Sequence, residues 1–470
     1  MLDAAPTPGG RGRLVTPMSE TLDRTGLVAG LETAGIAWRE IDESERGQYA
    51  VDGVSPQVIC LPASYLEAAR ALAIADQFGL AVSPRGGGSM LGLGNRPRAV
   101  DLVVSTERLN QIVDYAPANL TVTAEAGVTL SALQARLAEG GQYLPLDPPH
   151  ADRATLGGII ATNASGPRRF GFGAARDLVI GSQAATTSGT VTKAGGRVVK
   201  NVAGYDLNKL YIGSLGTLVV LVELTFKVAP LPTSQQTVVG RFARRDQFAR
   251  AVQEIIRSPL MPTAVEVFNA AAVDLVGEPG LPSPGNGYLL ATLGTATGRA
   301  VIRQRDDLTK IYQSAGAEAV GTLADQDSAR FWREVAEWPV RGEAGAIRVK
   351  AAVPIARVPD LVQALEVQTR ELSANVAIGG RAGSGVLYAS WTAESSGESA
   401  IKESARRLKQ LRQTCREWDG SLVVEAAPAA VKEEIDVWGE AGSALPLMRR
   451  LKAALDPNLI MNPGRFVGGI

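Results

Sequence analysis

The chain of 470 residues contains one histidine, His150, and two cysteines, Cys60 and Cys415. A zinc or iron centre built on several imidazoles is therefore excluded, and so is a catalytic pair of histidines. The cysteines stand far apart without a pairing pattern, which fits a reducing cytosol and two buried small side chains. An excess of either charge is missing too: 48 lysines and arginines balance 48 aspartates and glutamates, and no long basic block asks for nucleic acid or a charged membrane. No apolar run reaches transmembrane length; the best, Leu218 to Ala229, is broken by Glu223 and Lys227. A nicotinamide enzyme and a P-loop nucleotidase are not expected either. No G-x-G-x-x-G follows a strand pattern, and no glycine–lysine–hydroxyl sequence forms a Walker A loop.

What the chain does have is 45% hydrophobic residues with 20% charged ones, an ordinary globular balance over a length that holds several domains. Its glycines gather in two stretches. The first, Pro84-Arg85-Gly86-Gly87-Gly88-Ser89, follows a strand pattern. Three glycines there let several backbone N–H groups converge on one anion, the arrangement a diphosphate needs, although glycine triplets also occur in plain loops. The second stretch runs from Leu146 to Pro230. Its first half is crowded with Thr155, Gly157, Gly158, Thr162, Asn163, Ser165 and Gly166, which build no packed face and suit a wrap around a large polar ligand. The alternative is a glycine-rich surface loop. Its second half, Thr217 to Val228, is β-branched and reads as a buried strand.

Along the chain, residues 1–20 read as a disordered leader, or as an upstream start ahead of Met18. Helical spacing begins at Glu20 and ends at Gly35. Gln57–Pro62 is a strand, Ser64 and Glu67 form a capping box for a helix over Tyr65–Phe78, and Gly79 stops it. Ala81–Pro84, Ala99–Val104 and Leu120–Ala126 follow as strands, with a helix over Thr129–Glu139. Short strands at Leu178–Thr186, Thr190–Lys193 and Val198–Val199 form a meander. From Thr237 the rhythm becomes two βαββαβ-like rounds sharing one sheet, a separate α+β unit.

The two glycine-rich stretches carry a family resemblance, together with Asp147-Pro148-Pro149-His150, Arg176-Asp177, Lys200 to Leu207, Gly213 to Leu218 and Asn462-Pro463-Gly464-Arg465. The chain resembles flavoproteins of the vanillyl-alcohol oxidase and p-cresol methylhydroxylase superfamily, and within it the FAD-binding subunits of bacterial glycolate oxidases. The resemblance implies an α+β fold with a two-lobed FAD-binding domain of the p-cresol methylhydroxylase type over residues 21–232. A cap of ferredoxin-like repeats would span 233–440, and a C-terminal segment, 441–470, would return to the FAD domain. It implies FAD with its diphosphate on Pro84, Arg85, Gly86, Gly87, Gly88 and Ser89. Pro148, Thr155, Gly157, Gly158, Thr162, Asn163, Ser165 and Gly166 would wrap the rest, with Val220 at the adenine end and Asn462 near the flavin. A tethering histidine of many relatives is replaced by Ser89, so FAD is expected to be non-covalent. A metal-binding G-H-x-G-D-G-N-x-H of related 2-hydroxy-acid dehydrogenases is replaced by Gly380 to Tyr388, so no metal is expected.

On the substrate side, His150 is the one imidazole able to take a hydroxyl proton near neutrality; the alternative is that it packs in its turn. Arg348 and Lys350 alternate onto one strand face and Arg381 sits on the neighbouring loop, a set that suits a carboxylate; a solvated charged face is the alternative. Tyr205 either lines the flavin site or packs. The expected activity is oxidation of a 2-hydroxy acid, glycolate or D-lactate, by a cytoplasmic FAD-dependent subunit. Its partners would be a second flavin subunit and an iron–sulfur subunit, and it would hold to a membrane only through a partner. A flavin-carrying or scaffolding subunit that turns over nothing itself is the other reading.

Overall fold

The computed structural model describes residues 24–197, 205–278, 281–373, 375–393 and 397–470. The expected leader, the question of Met18, the start of the first helix, the strand at Val198–Val199 and the Lys200–Gly204 motif lie outside the described residues.

The first lobe is organised by the helix Tyr65–Gln77. Ser64 caps the helix as the spacing predicts, accepting from the N–H of Glu67 at 3.2 Å; the Glu67 carboxylate reaches one residue further back than a capping box requires, to the N–H of Ala63 at 2.8 Å. Gly79, at φ +64°, turns the chain out of the helix. The buried face of this helix is Ala68, Ala69, Ala71, Leu72 and Ala75. Side chains that short let a helix lie between two sheets at once. On one side are Val58, Val82, Leu102 and Val104, and on the other Ala185, Val220 and Val222.

The first of those sheets has four strands in the order Trp38–Glu40, Val58–Cys60, Leu102–Ser105, Val82–Arg85, the last three mutually parallel. The second has five antiparallel strands in the order Ile112–Ala116, Thr121–Glu125, Val220–Lys227, Val179–Ala185, Val191–Gly195. Val220–Lys227 is central and buried along nearly its whole length, as its β-branched pattern predicts. Cys60 and Cys415 are buried free thiols.

The run from Thr155 to Gly166 departs from expectation. It contains a helix, Leu156–Thr162, capped by Thr155, whose Leu156, Ile159 and Ile160 are buried in the core beneath the five-stranded sheet. Leucine and two isoleucines at positions i, i+3 and i+4 make an apolar stripe. Gly157 lets that stripe approach: a Cβ there would stand 2.9 Å from the Cβ of Ala126.

The later part of the chain forms one eight-stranded sheet in the order Ala319–Ala324, Ser234–Phe242, Tyr288–Ala296, Ala264–Phe268, Ala377–Arg381, Val386–Trp391, Ile347–Ala352, Ser421–Ala426. Every pairing is antiparallel. Helices Arg245–Arg257, Arg299–Ser314, Val358–Thr369 and Glu398–Glu417 cover one face with an apolar core. On the opposite face, helices Ala270–Val276 and Asp325–Glu337 cover one part around Phe331, Trp332 and Trp338. The remainder of that face carries Arg348, Lys350, Arg381, Tyr388 and Glu425, the positions alternating with core residues along their strands.

The C-terminal segment returns to the first lobe. Val82 donates to Ile460 O at 2.8 Å, and Asn462 donates back to Val82 O at 2.8 Å, adding a short parallel bridge beside the strand that ends at Arg85.

Candidate active site

A cleft opens at the carboxyl end of strand Val82–Arg85. Its walls are the loop 86–91, the helix Leu156–Thr162 and residues 219–221, and Asn462 and Arg465 close it. The space between these walls, open solvent at the mouth included, is about 970 Å³.

Among the described residues, no backbone N–H of residues 86–91 donates to a protein acceptor. The neighbouring helix does not share this property: the N–H groups of Leu156, Gly157 and Gly158 go to Val128 O, Ala126 O and Thr155 Oγ1. The free donors therefore belong to the loop. Its glycines are required by the protein itself, since a Cβ at Gly87 would stand 1.7 Å from Arg153 O and one at Gly86 2.0 Å from Thr155 Oγ1. Arg85 stacks over Tyr49 at 4.3 Å, which fixes the loop's entry.

Three non-glycine residues around the cleft hold left-handed backbone: Asn163 at φ +50°, Leu215 at +53° and Asn462 at +41°. They are held by one another and by the wall. Leu215 donates to Ala161 O at 2.8 Å, and Asn462 Nδ2 donates to Leu215 O at 2.6 Å. Two buried lysines pin the surrounding loops. Lys432 Nζ reaches Asp52 at 2.8 Å and Gly92 O at 2.5 Å, and Lys452 Nζ reaches Asp456 and Thr217 O, each at 2.6 Å. Arg465 donates to Leu91 O and Leu93 O, and burial pushes its guanidinium down to about 10.

Three buried polar atoms of cleft-lining residues have no partner among the described residues: Arg85 Nε, Asn462 Oδ1 and Arg465 Nε. Buried polar atoms are normally paired, so the cleft is built for a polar ligand. Converging free N–H groups beside an apolar wall of Ile159, Val219 and Leu221 fit FAD, whose diphosphate needs the donors and whose rings need the wall. Among the described residues, no histidine, cysteine or tyrosine lines the cleft.

Of the residues expected to hold FAD, Pro84, Arg85, Gly86, Gly87, Gly88, Ser89, Pro148, Thr155, Gly157, Gly158, Thr162, Val220 and Asn462 line the cleft. Asn163, Ser165 and Gly166 stand behind the wall. Gly166 packs where a Cβ would meet Asp147 O at 1.8 Å. Met90, Thr106, Ser214, Leu215 and Arg465 also line the cleft. Of these, Ser214, Leu215 and Arg465 lay within quoted motifs, while Thr106 carries no sequence signal. Tyr205 neither lines the site nor packs; its side chain is 94% exposed.

The charged face of the eight-stranded sheet is pinned to this cleft at two places. Arg381, 3% exposed, donates to the hydroxyl and carbonyl oxygens of Ser165. Lys432, just past strand Ser421–Ala426, bonds the 92–94 loop. Arg381 is thus committed to Ser165 and is not open to a ligand, which removes it from the carboxylate-binding set. Burial pushes the Glu266 carboxyl beside it up to about 8, and Asp147 adds to that rise while Arg381 opposes it.

Arg348 and Lys350 do share the expected face. Arg348 Nε and Lys350 Nζ each lie 3.7 Å from the Glu425 carboxylate, and neither side chain donates a hydrogen bond to any described residue. Lys350 also sits 6.0 Å above the Tyr388 ring. His150 is engaged elsewhere. Its N–H donates to Glu337 at 2.6 Å, its Nδ1 is 3.6 Å from the same carboxylate, and its backbone is left-handed at φ +61°. Burial lowers its pKa against the opposing pull of Glu337, and it does not line the cleft.

Residues 56–195 match the family model described as an FAD binding domain, and residues 231–466 match that of the FAD linked oxidases, C-terminal domain. The chain is 27% identical to the glycolate oxidase subunit GlcD of Bacillus subtilis, covering 90% of this chain and 93% of that one. It is 38% identical to the glycolate oxidase subunit GlcE of Escherichia coli, over 41% of this chain and 53% of that one. The fold matches that of p-cresol methylhydroxylase with a TM-score of 0.72 at 13% identity, over 94% of this chain and 95% of that one. With a cleft that fits FAD and family matches over both halves, the chain belongs to the FAD-linked oxidases and is an FAD-dependent oxidoreductase.

Proposed function

We propose that the chain oxidises a small 2-hydroxy acid, of which glycolate and D-lactate are the simplest, with FAD held non-covalently in the cleft. When bound, FAD supplies the acceptor for the hydride that leaves the hydroxyl-bearing carbon. The free N–H groups of residues 86–91 hold the diphosphate, and residues 219–221 and the helix Leu156–Thr162 flank the remainder. Among the described residues, Ser89 and the other lining residues include no histidine, cysteine or tyrosine to tether the flavin. On the opposite side Arg348 and Lys350 take the substrate carboxylate, and Arg381 fixes the sheet over the cleft through Ser165.

The single observation that carries the reading is the pair Arg348 and Lys350. Two half-buried cationic side chains stand on the sheet face that Arg381 and Lys432 tie to the cleft walls, and they donate to nothing among the described residues. Most ion pairs elsewhere in the chain close to between 2.6 and 3.2 Å, for example Arg245–Glu366 at 2.7 Å. Donors left open in this way suit a small carboxylate, which an arginine and a lysine grip with charge-assisted bonds. Likeness to two glycolate oxidase subunits supports the substrate class. It also supports assembly with a second flavin subunit, and we place an iron–sulfur subunit downstream as the one-electron outlet.

The test is anaerobic addition of glycolate, D-lactate and larger 2-hydroxy acids to the purified yellow protein, alone and with its partner subunits. We expect flavin bleaching by at least one acid, and release of free FAD on acid precipitation. Absence of bleaching by every acid under both conditions removes the substrate assignment and leaves a flavin-carrying subunit. Flavin that stays on the denatured chain removes the non-covalent assignment.

A further inference from the structure

The hydroxyl proton needs an acceptor, and the geometry points to Glu425 in that role, an inference that rests on the 2-hydroxy acid reading. Glu425 lies on strand Ser421–Ala426, facing the same side as Arg348 and Lys350 on the adjacent strand Ile347–Ala352. Its two oxygens stand 3.7 Å from Arg348 Nε and 3.7 Å from Lys350 Nζ, one oxygen to each cation. No hydrogen bond satisfies any of the three groups among the described residues. A half-buried ion triad that served structure alone would close to hydrogen-bond distance, as Arg245–Glu366 does at 2.7 Å, because charges held apart gain little. The spacing instead leaves a gap that a carboxylate bridges on the cation side. The hydroxyl of a 2-hydroxy acid is two bonds from its carboxyl carbon, so an acid gripped by Arg348 and Lys350 carries that hydroxyl next to Glu425.

The other base in reach of this region is less well placed. His150 is tied to Glu337 through its backbone N–H, its ring Nδ1 stands 3.6 Å from the same carboxylate, and its backbone is held left-handed. Arg381 and Lys432 are cations already committed to Ser165 and to Asp52. Glu425 is therefore the acceptor. In the step, the substrate O–H bond breaks and its proton passes to a Glu425 oxygen. The C–H bond breaks with its electron pair leaving as the hydride taken up by FAD, and the C–O bond becomes C=O. Arg348 and Lys350 exchange part of their attraction from Glu425 to the incoming carboxylate, which leaves Glu425 freer to accept the proton.

Glu425→Gln and Glu425→Asp in the FAD-loaded protein test this, with flavin content and melting temperature confirming the fold. Two readouts are taken: anaerobic flavin reduction by the best 2-hydroxy acid, and calorimetric binding of oxalate, a carboxylate that cannot be oxidised by this route. Loss of a proton acceptor slows reduction by about 100-fold or more. Glu425→Gln is expected to show that loss while binding oxalate more tightly than the parent, since a competing negative charge has gone. Glu425→Asp should recover part of the rate. Reduction of Glu425→Gln at the parental rate overturns the assignment while leaving the substrate reading intact, and so does equal loss of oxalate binding and rate, which marks a structural role. A parent protein that neither binds oxalate nor is bleached by any 2-hydroxy acid overturns the substrate reading, and this assignment with it.

Discussion

Residues 86–91 present backbone N–H groups that donate to no described residue, and Arg85, at the end of the strand before them, stacks on Tyr49. Strand Ile347–Ala352 is the reverse: its backbone is tied to a neighbour on each side, and it offers the side chains of Arg348 and Lys350. The difference follows from what each ligand part demands. A diphosphate crowds many acceptor oxygens into a small volume, which only backbone without side chains can surround. A single small carboxylate needs two cationic donors in a defined orientation, which a rigid sheet face supplies. A site made of backbone is broken by adding atoms, and a site made of side chains by removing them.

The largest effect expected is from Gly87→Ala. Its methyl group would stand 1.7 Å from Arg153 O, a backbone atom that cannot step aside. A penalty of about 4 kcal/mol or more is expected, with loss of the flavin spectrum in whatever protein folds. Full FAD content in that variant would mean the loop is not the anion site.

Arg381→Met comes next. It removes both bonds to Ser165 and leaves Glu266 and Asp147 buried without their cation. Breaking a buried charge set from one side costs about 3–5 kcal/mol, to be read from denaturant unfolding. A melting curve unchanged from the parent would show that the sheet is held over the cleft by something else.

Glu266 separates the two regions by pH. Its folded pKa of about 8 lies above the ordinary carboxyl value of 4.5, so the folded protein binds the proton more tightly than the unfolded chain. Its contribution is therefore complete below pH 4.5, declines as pH rises, and is lost by about pH 8. Glu266→Gln should flatten that decline, and parallel stability–pH curves for the two proteins would show that Glu266 does not titrate there.

Arg348→Met is expected to leave FAD in place and weaken substrate. Loss of one charge-assisted bond costs about 1.5–3 kcal/mol, which is about 10- to 150-fold in the concentration needed for half-reduction. A change in FAD content in this variant would join regions that the comparison keeps apart. The smallest effect belongs to Gly158→Ala. Its added methyl meets only Thr155 Oγ1, at 3.2 Å. Stability should fall by about 1 kcal/mol or less, with any larger loss confined to FAD affinity.

Much of this was legible because backbone sites write themselves in glycine. Pro84 to Ser89, Thr155, Gly157, Gly158, Thr162 and Asn462 were all readable as cleft residues, and the Ser64 cap marked the start of the helix that lies between the sheets. The strand alternation of Arg348 and Lys350 was readable as well. The glycine run was misread as lacking any packed element, because Leu156, Ile159 and Ile160 form a stripe only once Gly157 meets Ala126. Glu425 was not picked out, since nothing local distinguishes it from any polar strand position.

The sequence by itself therefore determined the flavin half, where local rules suffice: glycine where a Cβ has no room, caps where helices begin, β-branched runs where strands are buried. Only the tertiary structure decided the rest. It turned His150 onto Glu337, closed Arg381 on Ser165, and set Glu425 across from Arg348 and Lys350. Charged side chains from separate strands find their partners through sheet order and register. Those depend on contacts between residues tens to hundreds of positions apart, which no local pattern encodes.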